Sequence, residues 1–80
     1  MATTKTRSKA RQGQAGGFAA RLRRMRRGRN LTQTMLAARA ELAIDTVSKL
    51  ELGRSYPHPH TVEKLAKALD VEVEDLTGGV

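Results

Sequence analysis

The sequence predicts an all-α domain of five short helices. Two observations carry that expectation. Apolar residues recur at three- and four-residue spacing in successive short segments, and no segment alternates polar with apolar as a half-buried strand does. The chain is 39% apolar but has one Phe, one Tyr and no Trp. Its core must therefore come from Leu, Val, Ile, Ala and Met, which suits small packed helices.

Taken in order, residues 1–17 show no apolar periodicity. Their Thr, Ser, Gln and Gly content, with Lys5, Arg7, Lys9 and Arg11, cannot support a core, so they are expected to form a disordered basic arm. Phe18, Leu22 and Met25 fall at i, i+4 and i+7 and predict a first helix at about 18–29, with Arg21, Arg23, Arg24 and Arg27 around it. Asn30 suits a left-handed helix end. Thr32 is the expected N-cap of the second helix, with Leu31 and Leu36 placed to close a hydrophobic staple. Leu36, Ala37 and Ala40 face inward, and the small Ala37 allows another helix to approach closely. Glu41-Leu42-Ala43 forms a corner, with Leu42 turned into the core. The third helix runs over 44–52 with Val47 and Leu50 inward, and Gly53 stops it. The stretch "RSYPHPH" is a loop punctuated by Pro57 and Pro59. A fourth helix at 60–69 carries Val62, Leu65, Ala66 and Leu69, and a fifth at 73–77 adds Val73 and Leu76. The domain thus spans 18–77, with a short tail at 78–80.

Composition excludes several classes. The absence of cysteine removes disulfides and thiolate zinc sites, which fits a reducing interior. No apolar run reaches the roughly 18 residues of a membrane span and no signal-peptide core opens the chain, so a cytoplasmic location is expected. The net charge of +7 is unevenly distributed: residues 1–29 hold ten of the fifteen Lys and Arg and no acid, for +10, while 30–80 carry −3. That asymmetry points to a polyanionic partner. A membrane surface is the weaker candidate, because Phe18, Leu22 and Met25 suffice only to cover a neighbouring helix.

Catalysis and metal binding have no constellation behind them. His58 and His60 are loop residues without further ligands at suitable spacing. The glycines at 13, 16 and 17 follow no strand and make no phosphate cradle. Glu74 and Asp75 suit the first turn of a helix. An enzyme is not expected, nor a cofactor or metal.

The run "LTQTMLAARAELAIDTVSKLELG" resembles, without a gap, the helix-turn-helix of the lambda-repressor-like family, also called Cro-type or XRE-type. Its marks are Leu31-Thr32-Gln33, Leu36-Ala37, Thr46-Val47-Ser48 and Glu51-Leu52-Gly53, and residues 65–76, "LAKALDVEVEDL", resemble the family's last two helices. The resemblance covers about 18–76. It implies a five-helix fold that binds double-stranded DNA with the third helix in the major groove. The helical wheel is compatible: with Val47 and Leu50 inward, Ile44, Asp45, Ser48 and Lys49 turn outward together. These four are the expected base-reading residues, Lys49 toward guanine, Asp45 toward cytosine N4 and Ile44 toward a thymine methyl. The resemblance implies backbone contacts from Gln33 and Thr46, with Arg54 a further phosphate candidate. It also implies a structural ion pair between Arg26 and Glu51. Four departures from the family pattern stand out: Glu41 for a turn Gly, Ala43 for a Ser or Thr cap, Asp70 for a Gly, and Asp45, whose negative charge beside DNA opposes non-specific phosphate binding and favours either a base-reading or a protein-facing role.

The expectation is a sequence-specific transcriptional regulator, a repressor, reading an operator as a homodimer, with Lys5, Arg7, Lys9 and Arg11 on the DNA backbone. Within these residues a dimer has only the helical domain to use, and Val71, Val73 and Leu76 are candidate contacts. The alternative is an antitoxin-type module that neutralises a toxin partner and represses its own operon. RNA binding by the arm and first helix would leave the third helix without a purpose.

Overall fold

A computed structural model describes the backbone of residues 5–78 and the side chains of residues 17–78. Five helices follow one another: α1 Lys5–Gly28, α2 Gln33–Ala40, α3 Ile44–Glu51, α4 Pro59–Leu69 and α5 Val73–Thr77. No strand occurs among the described residues. The bounds of α2 to α5 lie within a residue of the expected ones. The first helix differs, starting at Lys5 rather than near residue 18. The physical reason is that Ala, Lys, Arg and Gln are good helix formers, and extending an existing helix avoids the unfavourable nucleation step. Residues 1–4 and 79–80 lie outside the described residues.

The helices close around one core. Leu22, Leu36, Val47, Leu65, Leu69 and Leu76 are fully enclosed, and Phe18, Leu31, Ala37, Ala40, Leu50, Val62 and Ala66 complete it. α2 packs on α3 and α4, α1 packs on α3 and α5, and α4 packs on α5. Each fully buried Leu or Val contributes on the order of 1.5–3 kcal/mol relative to exposure. Leu76 is therefore corrected from a candidate dimer contact to a core residue: the face that carries it is already covered by its own chain. Val71 is likewise partly buried against the core, and Val73 alone of the three is exposed.

The ends of the helices explain how so short a chain turns so often. Thr32 caps α2, its hydroxyl oxygen accepting from the Met35 N–H at 3.0 Å, while Leu31 and Leu36 are both buried beside it. Four helix ends then close alike. At Asn30, Glu41, Gly53 and Asp70 the backbone enters the left-handed region, with φ of 56°, 59°, 72° and 59°. At each, the N–H of that residue and of the next reach back to carbonyls near the helix end, which is the Schellman closure. After three of the four, an apolar residue, Leu31, Leu42 or Val71, packs on the core.

Glu41 thus takes the turn with no rearrangement, at φ 59° and ψ 46°. A side chain in that region is disfavoured by roughly 1–2 kcal/mol. Glu41→Gly is expected to stabilise the domain by about 1 kcal/mol, part of the gain being lost to the flexibility of Gly in the unfolded chain. That should raise the melting temperature by about 4–8 °C. A lowered melting temperature would show that the Glu41 side chain makes a compensating contact.

Candidate nucleic-acid interface

The site is built on α3, which is amphipathic by the helical period. Val47 and Leu50 fill the core, and the opposite side is open. Ile44 is 47% exposed. Asp45 and Lys49 project from the same face and pair with each other, Lys49 Nζ lying 3.3 Å from Asp45 Oδ2. The helix starts without a side-chain cap, because Ala43 has no oxygen to offer, and Asp45 in the first turn complements the positive end of the helix dipole. Thr46 is half-buried beside them and Arg54 is exposed just after the helix.

Ser48 differs from its neighbours. It is half-buried, and its hydroxyl donates to Gln33 Oε1 at 2.8 Å. Gln33 in turn donates through Nε2 to Glu51 Oε1 at 3.0 Å. Both side chains that the sequence turns toward DNA, Ser48 to bases and Gln33 to backbone, are therefore joined to each other and to Glu51. Each keeps hydrogen-bonding capacity: the Gln33 amide has a second N–H, and the Ser48 oxygen can accept.

Beneath them lies the ionic centre of the domain. Arg26 faces Glu51 in a forked pair, Nε to Oε2 at 2.6 Å and Nη2 to Oε1 at 3.0 Å. Arg26 Nη1 also donates to the Leu31 carbonyl at 2.8 Å. Arg26 and Glu51 are 9% and 3% exposed, so the pair is shielded from solvent and from salt. Burial pushes the Glu51 carboxyl up, but hydrogen bonds from Arg26 and Gln33, with the charges of Arg26 and Arg23, outweigh it and hold the group below its ordinary value. Its hydrogen bonds to Glu51 raise Arg26 above its own ordinary value against the opposing effect of burial.

Arg23 is the residue that sequence reasoning missed. Its Nη1 donates to the Glu51 carbonyl at 3.0 Å, satisfying the last turn of α3 from outside. The signal was present: Arg23 lies one turn before Arg26 on the same face of α1. Arg23, Arg24 and Arg27, with Ala20, line a shallow cleft along α1. Arg24, Arg27, Arg29 and Arg39 are exposed. Nothing in the sequence pattern singles out Leu52 and Tyr56, which are 64% and 69% exposed after α3. The side chains of Lys5, Arg7, Lys9 and Arg11 lie outside the described residues. Among the described residues no group of His, Asp and Glu is arranged to hold a metal. No described helix is long and apolar enough to cross a membrane.

Comparison with known proteins gives the arrangement its context. The family model described as "Helix-turn-helix domain" matches residues 18–77. The Bacillus subtilis (strain 168) protein named uncharacterized HTH-type transcriptional regulator RghRB is 43% identical over 60 residues, covering 74% of this chain and 43% of its own length. The HTH-type transcriptional activator BcrR of Enterococcus faecalis is 32% identical over 62 residues, 78% of this chain and 30% of its own. The chain spans less than half the length of the curated relatives it matches. The crystal structure of the restriction-modification controller protein C.AhdI from Aeromonas hydrophila superposes with a TM-score of 0.76 at 34% identity, covering 78% of this chain and 94% of that one.

Proposed function

The chain belongs to the helix-turn-helix domain family, in its lambda-repressor-like form, and from that premise we propose that it binds double-stranded DNA in a sequence-specific way and regulates transcription. The observation that carries this is the outer face of α3. Ile44, Asp45 and Lys49 are exposed on a helix whose inner face is tied to α1 and α2 by a buried ion pair and its hydrogen bonds. A rigid helix with free polar and apolar ends is what reading base edges in a major groove requires. Gln33, Thr46 and Arg54 flank it as backbone contacts, and Ser48 supports the face through Gln33. The names of the relatives, transcriptional regulators among them, support the regulatory role.

One such helix touches only a few base pairs. The operator is accordingly read by a homodimer on two half-sites about one helical turn apart. A dimer bound over a promoter would exclude other proteins from it, and repression is the regulation proposed. The basic stretch at the start of α1, with Lys5, Arg7, Lys9 and Arg11, adds contacts to phosphate that do not depend on sequence.

The test is selection from a library of random duplexes at near-physiological salt, followed by a reporter placed behind the enriched site. A palindromic motif and a silenced reporter support the reading. Binding to every duplex alike refutes base reading by α3, and an induced reporter refutes repression. Removing residues 1–12 should weaken binding to all sequences about equally. It should flatten the log–log salt dependence by up to about 3.6 for each bound protomer, near 0.9 for each of four phosphate contacts. An unchanged slope removes the basic stretch from the interface.

A further inference from the structure

On the face that would enter the groove, a carboxylate is held against the ammonium. Asp45 and Lys49 are one helical turn apart and 3.3 Å from each other, with side chains 75% and 58% exposed. Among the described residues this is the only exposed ion pair, the other being the buried Arg26–Glu51 pair. Arg24, Arg27 and Arg54 are also exposed, and none of them makes an ion pair among the described residues. An exposed pair at this spacing contributes little to stability. A negative charge at this place also works against phosphate, so the pair weakens affinity for DNA in general. A reading face that carries a carboxylate held against its ammonium is built for discrimination more than for grip.

We propose that Asp45 and Lys49 act as a single ion-paired reading unit for a G·C base pair, with Lys49 selecting the two adjacent acceptors of guanine and Asp45 opposing contact with phosphate. The proposal rests on the reading of α3 as the base-contacting helix and names what that helix selects. A G·C pair presents in the major groove two acceptors, guanine N7 and O6, beside one donor, the N4 amino group of cytosine. An ammonium and a carboxylate held about one hydrogen-bond length apart match that row: Lys49 donates to guanine and Asp45 accepts from cytosine. Both charges then exchange their mutual contact and their water for full partners. On an A·T pair the two adjacent acceptors are missing, because adenine N7 and thymine O4 lie on either side of the N6 amino group, so Asp45 keeps a donor but Lys49 is left with a single acceptor. Against phosphate, Lys49 must leave Asp45 while Asp45 is repelled. The pair therefore suppresses non-specific binding and releases the suppression at the correct base.

Asp45 also faces the positive end of α3, so a purely structural role is the competing account, and stability alone would not tell the two apart. The experiment uses the full chain with Asp45→Asn and Asp45→Glu. It measures the enriched motif, affinity for the motif and for a scrambled duplex, and the melting temperature. Asp45→Asn should tighten binding to the scrambled duplex several-fold, shrink the ratio of specific to non-specific affinity by about tenfold or more, and relax an invariant G·C position in each half-site. Asp45→Glu, which keeps the carboxylate, should retain most of the ratio. Three results overturn the proposal: a wild-type motif without an invariant G·C, an unchanged motif and ratio in Asp45→Asn, or a fall in melting temperature with the ratio intact. A wild-type chain that enriches no motif at all instead removes the underlying reading of α3, and this inference with it.

Discussion

Glu51→Ala lowers the stability of the domain by about 3–5 kcal/mol, the loss expected when one partner of a buried ion pair is removed. A domain of about 60 residues has a total stability of only about 3–9 kcal/mol, so the variant should lose at least about a third of it. In a thermal melt the midpoint falls by at least about 12 °C. The reason is the number of groups that one carboxylate satisfies. Arg26 donates to it twice and Gln33 once, and in its absence the Arg26 guanidinium stays buried without its counter-charge. Replacing both partners with apolar residues, Arg26→Met with Glu51→Leu, should recover most of the loss, because no charge is then stranded. A melting temperature unchanged by Glu51→Ala alone would show that the pair gains no more than it loses to desolvation. The same carboxyl sets an acid limit. Its value in the folded chain lies below its ordinary 4.5. The stability it provides is therefore complete above that ordinary value and drains away as the pH falls through the lower, folded one. Melting curves of wild type and Glu51→Gln should converge on acidification below about pH 4.5.

Lys49→Ala should weaken operator binding far more than binding to arbitrary duplex. A base-edge contact is worth about 1–3 kcal/mol, and a dimer makes it in both half-sites. The combined loss of about 2–6 kcal/mol is at least about 30-fold in affinity. Asp45 enlarges the effect, since the truncated side chain leaves its carboxylate facing the groove without the ammonium now 3.3 Å away. Against a scrambled duplex the change should be small. The salt dependence for the operator should run nearly parallel to that of wild type, because Lys49 would bond a base and not a phosphate. A variant whose affinity falls equally for both duplexes, with a flatter salt slope, would place Lys49 on the backbone.

Most of the fold was legible because periodicity and caps agree. Thr32, Gly53 and the apolar stripes of α2 to α4 leave little choice of boundary. The early start of α1 was not legible for a related reason. The sequence of residues 5–17 carries no apolar stripe, and hydrophobic period is blind to a helix that continues on propensity alone. On the site, the wheel gave the direction of each α3 side chain but not its neighbours. Ser48 and Lys49 both turn outward, yet Ser48 meets Gln33 across the α2–α3 corner while Lys49 pairs with Asp45 on its own helix. Contacts between elements depend on the crossing of the helices, and a single sequence does not encode that in any local pattern. Leu76 shows the same limit from the other side: its apolar character was plain, but whether it covered its own core or a partner's depended on how α5 docks on α1 and α4.

The four alike left-handed corners at Asn30, Glu41, Gly53 and Asp70 bear on how the chain finds its fold. Each corner is closed by backbone bonds within six residues, so closing it brings together no distant part of the chain. Chains whose contacts are mostly local cross their folding barrier quickly, on the microsecond to millisecond scale. The Arg26–Glu51 contact spans 25 residues and joins α1 to α3 only once both have docked. Substitutions at the corners are therefore expected to change mainly the rate of folding, and loss of the buried ion pair mainly the rate of unfolding.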